Sequence, residues 1–143
     1  MTWISTLPVQ SKSKCEFREI TEEVRRAVQA SRVNDGVCYV FVPHTTAGVT
    51  VNEHADPSVM RDILAHLAVL APEDGPYTHG EGNAAAHIKA SLIGSHLVLL
   101  VRSGEPVLGT WQGIFLGEFD GPRHRKVLVK VVPDEGMASA LEG

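Results

Sequence analysis

Cysteine is scarce in this 143-residue sequence: Cys15 and Cys38 are the two thiols, and they do not form a CxxC motif. Such usage is typical of a protein whose thiols stay reduced in the cytoplasm, and the apolar run around Cys38 predicts a core position. The sequence also contains no nucleophile elbow, P-loop, GxGxxG fingerprint or HExxH pair. The remaining candidates for chemistry are histidine, carboxylate and amide groups.

Long apolar runs are absent as well: none approaches the roughly 18 residues of a membrane-spanning helix, and the N-terminus has no apolar signal region. We therefore expect a cytoplasmic protein that neither crosses a membrane nor is exported. Lysine and arginine (13) are fewer than aspartate and glutamate (17), and the net charge is -4. This balance predicts no general binding to nucleic acid or to anionic membranes.

What the sequence contains is ordinary for a globular domain: 43% hydrophobic and 21% charged residues, over a length that can bury a real core. No repeat, linker or low-complexity segment divides it. We predict one domain over residues 1–133 and a flexible C-terminal tail over residues 134–143.

Helix and strand signals cluster along the chain. Thr21 is a candidate N-cap for a helix that runs to about Arg32, and Asp56-Pro57 is a strong start for a second helix. Apolar or alternating runs predict strands at residues 2–10, 37–42, 49–52, 96–101, 107–119 and 127–132. Because strands and helices do not alternate regularly, we predict a compact α+β fold with a mostly antiparallel sheet and about three helices.

The stretch from His79 to Lys89 predicts a loop that runs into the third helix, because its glycines come first and its alanines follow. Asn83 would cap this helix, and Gly94 would end it. The buried stripe of the helix would consist of Ile88 and Leu92.

Two histidines flank this helix start, His79 in the loop and His87 on the first turn. They could converge in front of the helix N-terminus, whose free N–H groups favour an anion such as phosphate. His44 follows an apolar strand, a position where functional groups tend to lie. Together, His44, His79 and His87 would suit zinc, with a fourth position open for water or substrate. The alternatives are surface or hydrogen-bonding roles for the pair and a strand-end turn at His44.

Two carboxylates accompany these histidines in the sequence. Glu53, next to Asn52, could fix the tautomer of a ligating histidine or act as a general base, and the alternative is a solvated loop charge. Glu81 could be a ligand, a base or a partner of the helix dipole. Lys89 falls two positions after His87, which places it on a different face and predicts a solvated side chain.

A basic cluster lies near the C-terminal end of the chain, where Arg123, Arg125 and Lys126 surround His124. It could hold a phosphate, and the alternative is a run of solvated charges on an edge strand. The preceding segment, which begins at Glu118, predicts a turn with a local Asp–Arg contact.

The segment Gly109-Thr110-Trp111-Gln112-Gly113 is unusual for a strand. Its two glycines predict a bulge, or a close approach of the backbone to a ligand or a neighbouring chain. The alternative is a bend with Trp111 in the core.

Four motifs occur in one order along the chain. They are Pro43-His44-Thr45-Thr46-Ala47-Gly48-Val49-Thr50-Val51-Asn52-Glu53, Gly80-Glu81-Gly82-Asn83 with His87-Ile88-Lys89-Ala90-Ser91-Leu92, Leu108-Gly109-Thr110-Trp111-Gln112-Gly113-Ile114, and Glu118-Phe119-Asp120-Gly121-Pro122-Arg123. Together they resemble the YjbQ-like family, also called the secondary thiamine-phosphate synthase family. The similarity covers nearly the whole chain.

The resemblance implies a homotrimer of α+β domains with a metal or an anion near the histidines. It also implies that hydroxymethyl-pyrimidine diphosphate is joined to thiazole phosphate, which releases pyrophosphate. The site residues carried over by motif are His44, Thr45, Asn52, Glu53, His79, Glu81, Asn83, His87, Gln112 and Glu118. Ala85 stands where many members have an acid, and His96 and Leu100 also depart from the usual pattern.

We therefore expect a small-metabolite enzyme, similar to a thiamine-phosphate synthase, that acts on a phosphorylated small molecule. The predicted metal ligands are His44, His79 and His87, the predicted catalytic residues are Asn52, Glu53, Glu81, Gln112 and Glu118, and the predicted anion-binding residues are Thr45, Asn83 and Arg123. Three histidines suit zinc, whereas a diphosphate substrate would call for magnesium. The alternatives are a metal-assisted hydrolase of a small phosphorylated metabolite and a non-catalytic protein that binds a metal or an anion.

Overall fold

The computed structural model of the protein describes residues 3–135. Three helices and eight strands occur in this part of the chain, which confirms the α+β class. In chain order they are β1 (Trp3–Gln10), β2 (Glu16–Glu19), α1 (Thr21–Ser31), β3 (Gly36–Phe41), β4 (Ala47–Glu53), α2 (Pro57–Leu70), α3 (Ala84–Ile93), β5 (His96–Arg102), β6 (Glu105–Pro106), β7 (Gln112–Glu118) and β8 (His124–Pro133).

The strands form two sheets rather than one. Five strands pair in the order β1-β8-β3-β5-β6, and three pair in the order β2-β7-β4. Each of these neighbouring pairs is antiparallel, as predicted. Strand β2 was not predicted, because its four residues, with one apolar side chain among three charged ones, carry no alternation long enough to recognise.

The main core lies between the two sheets and α1. Alternate residues of β8 are buried in it, as Val127, Val129 and Val131 show, and α1 adds Val24 and Val28. Burying these apolar side chains is the main favourable term in folding. A smaller cluster around Phe119 holds α2 and α3 against the three-stranded sheet.

The prediction that Thr21 caps α1 is wrong. The N-cap residue is Ile20, and Thr21 is the first helical residue. The Thr21 hydroxyl accepts a hydrogen bond from Ile114 N at 2.9 Å and donates to Glu19 Oε2 at 2.7 Å. The side chain is therefore used to join the helix to β7 and β2, and it is unavailable for capping.

The second helix begins as predicted. Asp56 is its N-cap and accepts a hydrogen bond from Ser58 N at 2.9 Å, and Pro57 is the first helical residue. The backbone N–H of Ser58 holds the pKa of Asp56 below its usual value. Only Met60 and Leu67 of its apolar face are fully buried, because α2 lies at the surface over the smaller core cluster.

The predicted stripe of α3 is wrong: Ile88 and Leu92 are 38% and 56% exposed. The buried residues of α3 are Ala85, Ala86, Lys89 and Ala90. The prediction that Lys89 is solvated is therefore also wrong. The helix presents its alanine face because it packs closely on β4. A Cβ atom on Gly48 would lie 2.6 Å from the carbonyl oxygen of Gly94, which ends the helix.

The long strand predicted over residues 107–119 is interrupted. Residues 107–111 form a loop and turn, and β7 begins at Gln112. The Gln112 side chain accepts a hydrogen bond from Gly109 N at 2.7 Å, which closes the turn locally. Trp111 is 64% exposed at its tip, so it is not a core residue.

The predicted ends of the chain are only partly described. Residues 2 and 136–143, which belong to the predicted first strand and tail, lie outside the described residues, whereas Asp134 and Glu135 are described and exposed. Among residues 3–135, no helix combines the length and apolar character needed to cross a membrane.

Candidate functional site: a histidine-lined cleft

A cleft of about 460 Å³ lies between α3 and the segment that joins β3 to β4. His44 enters it from that segment and His87 enters it from α3. Thr45, predicted to bind an anion, also lines it. The full lining consists of His44, Thr45, Ala47, His87, Ala90, Ser91, Gly94 and Ser95.

A second hollow of about 290 Å³ adjoins this cleft at His87, and His79, Ala84 and Ile88 form the rest of its lining. The rings of His79 and His87 meet edge to face, with centroids 5.1 Å apart and planes at 80°. His87 therefore belongs to both hollows. The three histidines from separate parts of the sequence are brought to one surface, which we call the histidine cleft.

Backbone contacts hold the His44 segment against the end of α3. Val42 N donates to the carbonyl oxygen of Ser95 at 2.8 Å, and Val49 N donates to that of Gly94 at 3.0 Å. His44 Nε2 accepts a hydrogen bond from the backbone N–H of Lys126 at 2.9 Å. Because Nε2 is the acceptor, the neutral ring carries its proton on Nδ1.

The electrostatics around His44 favour the neutral imidazole. Burial lowers its pKa below the usual value, and the positive charge of Arg125 lowers the pKa further. A neutral ring can accept a proton or ligate a metal, whereas a charged one cannot.

A buried ion pair lies behind this segment. Arg125 donates through Nε and Nη2 to the two carboxylate oxygens of Glu118, and Nη2 also donates to Thr46 Oγ1 at 2.8 Å. Ser11 Oγ donates to Glu118 Oε1 at 2.6 Å. Glu118 is fully buried, so this predicted catalytic residue is placed to support the His44 segment from within the core.

Arg125 and Ser11 are residues that the sequence interpretation missed, and the prediction of a solvated basic run is wrong for Arg125. Arg125 is 5% exposed and Ser11 is 1% exposed. A signal for Arg125 existed, because it shares the alternation of the buried valines of β8. Ser11 follows the end of β1 and carries no such signal.

Two of the predicted anion-binding residues share one partner. Asn83 Nδ2 and Arg123 Nη2 each donate to Asp120 Oδ2 at 3.0 Å. Desolvation tends to raise the pKa of Asp120, but these two donors hold that pKa below its usual value. The predicted local Asp–Arg contact is confirmed.

Asn83 precedes α3 without capping it through its side chain, so that part of the prediction is wrong. Its side chain is turned to Asp120 instead, and its Oδ1 atom is buried without a hydrogen-bond partner among the described residues. Ala86 N and His87 N donate to the carbonyl oxygen of Asn83, so the N–H groups of Ala84 and Ala85 are the ones at the start of α3 that keep a capacity to bind an anion.

Three other predicted catalytic residues lie away from the histidines. Asn52 and Glu53 end β4, and Gln112 pairs with Glu53 at the start of β7. The opposite end of the same strand pair is Ala47 with Glu118, about 20 Å away at the usual rise per strand residue. Within one chain these residues do not join the histidine cleft.

Glu81, the remaining predicted catalytic residue, is beside His79. Its Oε2 atom lies 3.9 Å from His79 Nε2, and its side chain is 78% exposed. It is near enough to exchange a proton with His79 through one intervening water molecule.

The predicted metal ligands His44, His79 and His87 do not form a three-ligand group in the structure. Within residues 3–135, no three His, Cys, Asp or Glu side chains are arranged so that they could hold a metal ion. The edge-to-face pair of His79 and His87 could supply two ligands, but Nε2 of His44 is occupied by Lys126 N. A metal at His44, His79 and His87 stays a prediction.

The fold and this cleft define an α+β domain with a histidine-lined surface site, and comparison with known proteins places it in a family. The family model of the UPF0047 protein YjbQ-like group matches residues 5–134. The chain therefore belongs to the YjbQ-like UPF0047 family, as its motifs predicted.

Relatives of this chain occur in archaea and bacteria. A UPF0047 protein of Methanocaldococcus jannaschii is 47% identical over 127 residues, which are 89% of this chain and 92% of the relative. The UPF0047 protein YugU of Bacillus subtilis is 41% identical, over 90% of this chain and 98% of its own length.

Solved structures agree with the fold. A crystal structure of an uncharacterized YjbQ/UPF0047-family protein from Clostridium acetobutylicum has a TM-score of 0.88 at 51% identity, over 90% of this chain and 99% of that one. A YjbQ-like protein of unknown function from Sulfolobus solfataricus has a TM-score of 0.90 at 34% identity, over 94% of this chain and 99% of its own.

Proposed function

We propose that the protein is a cytoplasmic small-metabolite enzyme that binds a phosphorylated substrate in the histidine cleft. The observation that supports this most is the convergence of His44, His79 and His87 from three segments on two hollows joined at His87. A cleft of about 460 Å³ has the size of small-molecule sites. His79 and His87 flank the N-terminal turn of α3, which suits a phosphate group, whereas His44 lies against the C-terminal end of that helix.

The proposed chemistry is that of thiamine-phosphate synthesis: the C–O bond between the methylene carbon of hydroxymethyl-pyrimidine diphosphate and pyrophosphate breaks, and that carbon forms a C–N bond with the nitrogen of thiazole phosphate. The free N–H groups at the start of α3 would stabilise the negative charge that develops on the leaving group. His87, which belongs to both hollows, would contact that group. His79 would donate a proton to the oxygen that leaves with the electron pair of the broken C–O bond, and Glu81 would return a proton to His79. Neutral His44 would accept a hydrogen bond from the substrate only after its bond to Lys126 N is broken.

A divalent cation is part of this proposal. His79 and His87 would hold it, with His44 as a third ligand after a change of side-chain rotamer. When bound, it would add positive charge opposite the leaving group. Zinc suits these imidazoles, and magnesium would suit the diphosphate itself.

The alternative function is metal-assisted hydrolysis of a small phosphorylated metabolite, and a non-catalytic anion or metal binder is the further alternative. Substitution of Glu81 distinguishes an enzyme from a binding protein, because a binding protein needs no proton-transfer group. Glu81→Gln should keep ligand binding and lower turnover by about 100-fold in an enzyme. A binder would show no turnover in either protein.

The experiment for the reaction follows pyrophosphate release from hydroxymethyl-pyrimidine diphosphate, with and without thiazole phosphate. Release that requires thiazole phosphate supports the synthase, and release without it supports the hydrolase. No release in the presence of zinc or magnesium would contradict the synthase and would exclude hydrolysis of this diphosphate.

The experiment for the cation is elemental analysis of untagged protein that was never exposed to a chelator. About one ion per chain in the wild type, and none in His79→Ala/His87→Ala, would support the metal site. His66→Ala is a matched control, because this exposed histidine lies on α2 and lines neither hollow. Equal metal content in all three proteins would contradict the assignment.

We also propose a homotrimer, assembled through the outer face of the five-stranded sheet. Tyr39 and Phe41 of β3 and Val98 and Leu100 of β5 are 44–60% exposed there, and Tyr39 pairs with Val98. A contiguous apolar patch of this kind marks an interaction site. Light scattering should give three times the 15.4 kDa of one chain, and Leu100→Lys should lower that mass. A monomeric wild type would contradict the trimer.

A further inference from the structure

A second cleft, of about 350 Å³, lies between the three-stranded sheet and α2, and it shares no lining residue with the histidine cleft. We call it the α2 cleft. Its apolar wall consists of Phe17 of β2, Phe115 of β7, and Met60 and Leu64 of α2. The volume and this wall would accommodate a small aromatic or branched aliphatic body.

An oriented histidine stands at the edge of the wall. His54 Nδ1 lies 2.7 Å from Glu19 Oε2, and the same oxygen accepts a hydrogen bond from Thr21 Oγ1 at 2.7 Å. With Nδ1–H donated to the carboxylate, Nε2 of the neutral ring is a hydrogen-bond acceptor.

The backbone leaves room for this pair only because residue 113 is glycine. A Cβ atom on Gly113 would lie 2.7 Å from Glu19 Oε2 and 2.8 Å from His54 Cβ. The pair therefore rests directly on the backbone of β7. The sheet and Thr21 therefore fix the position of the His54–Glu19 pair, so its side chains are not free to rotate as those of an ordinary surface contact are.

The polar rim of the α2 cleft is strongly one-sided. Glu16, Glu53 and Asp56 join Glu19 there, and Arg61 is the cation among the lining residues. Glu16 and Asp56 already accept backbone N–H groups, whereas no hydrogen bond within residues 3–135 uses the Glu53 carboxylate. The rim groups that are still able to bind a ligand are chiefly negatively charged hydrogen-bond acceptors. The complementary ligand is therefore a cation that donates hydrogen bonds.

We propose that the α2 cleft binds a small organic cation, namely an ammonium group carried on an aromatic or branched aliphatic body. The body packs against Phe17, Met60 and Phe115. The ammonium group donates to Glu53 and to Nε2 of His54. The protein thus binds a cation at this site, whereas the histidine cleft is suited to an anion.

The test is a titration of the ¹⁵N-labelled protein with benzylammonium chloride, followed by NMR. Benzyl alcohol, which has the same body without the charge, is the matched probe. Saturable shifts are expected at the amides of Phe17, His54 and Phe115. Binding of benzyl alcohol is expected to be weaker by at least about threefold to fivefold, the usual worth of one solvent-accessible charge contact.

Two variants separate the cleft from general attraction to an acidic protein. Glu53→Gln keeps the side-chain shape and should weaken benzylammonium binding by about threefold to fivefold. Asp62→Asn is the control, because this exposed carboxylate also belongs to α2 but does not line the cleft. It should leave the affinity unchanged.

The proposal would be overturned by shifts that do not saturate, by equal affinity for the two probes, or by equal weakening in Glu53→Gln and Asp62→Asn. Shifts centred on His87 would do the same, because they would place the ligand in the histidine cleft. The outcome is independent of pyrophosphate binding to the histidine cleft, which is measured separately by calorimetry.

Discussion

Arg125 and Glu118 form an ion pair whose side chains are 5% and 0% exposed. The guanidinium of Arg125 also donates to Thr46, two residues after His44 in the chain. The pair thereby joins β7 and β8 to the segment that carries the first histidine of the cleft. Both charged side chains also form hydrogen bonds with other groups, which offsets the free-energy cost of burying two charges.

Removing one member of this pair should be severe. Arg125→Met is expected to lower the free energy of unfolding by about 3–5 kcal/mol, because Glu118 would remain buried without its partner. Urea unfolding measures the change. Arg123→Met is the control, since Arg123 is 54% exposed in its contact with Asp120 and should contribute only about 0–1 kcal/mol. Similar losses for both variants would contradict the account.

Glu118 also predicts a dependence of stability on pH. Desolvation tends to raise its pKa, but hydrogen bonds from Arg125, Ser11 and Asp120 N hold the pKa below the ordinary 4.5. As the pH falls, the unfolded chain therefore binds the proton first, and the stabilisation is present above pH 4.5 and lost below it as the pH falls through the folded pKa.

The comparison is between wild type and Glu118→Gln, because other carboxyl groups titrate in the same range. Urea unfolding between pH 6 and pH 3 should show a shallower loss of stability in the variant. Identical pH profiles would mean that Glu118 does not carry this linkage.

Gly48 tests the close packing of α3 on β4. A Cβ atom there would lie 2.6 Å from Gly94 O and 3.1 Å from Ile93 Cγ2. Gly48→Ala is expected to cost about 1–3 kcal/mol, because backbone must shift to admit the methyl group. Gly80→Ala is the control, since nothing lies within 4 Å of its Cβ position. A neutral Gly48→Ala would show that α3 is more loosely held.

The two thiols should differ in reactivity. Cys38 is fully buried and its pKa is raised to about 12 by desolvation. Burial also raises the pKa of Cys15, although Lys89 Nζ lies 3.8 Å from its sulfur. In the folded protein a disulfide reagent at pH 8 should modify Cys15 slowly and Cys38 only after unfolding. Cys15→Ser should remove the slow native phase, and simultaneous reaction of both thiols would contradict this order.

The α+β class, the start of α2 and the end of α3 could be predicted, because local signals decide them. Asp56-Pro57 carries its own capping chemistry, and Gly94 takes a positive φ that favours glycine. The buried face of α3 could not be predicted in this way. Ile88 and Leu92 are more apolar than the alanines, yet the close approach to Gly48 selects the small residues.

The residue types of the site could be predicted better than the positions of those residues in the structure. His44, His79 and His87 share a surface, but Asn52, Glu53 and Gln112 lie at the other end of β4 and β7. Motif order says nothing about which end of a strand pair a residue occupies. The buried role of Arg125 was missed because it was grouped with Arg123 and Lys126 in one basic run, whereas the alternation of β8 places it with the buried valines.

The central claim is that the three histidines form one site for a phosphorylated ligand, and pyrophosphate binding tests it most directly. Calorimetry on the wild type should show saturable binding. His87→Ala should weaken it by at least about tenfold, because a hydrogen bond to a charged group contributes about 1.5–3 kcal/mol. His66→Ala should bind as the wild type does. No binding to the wild type, or equal binding by His87→Ala, would contradict the account.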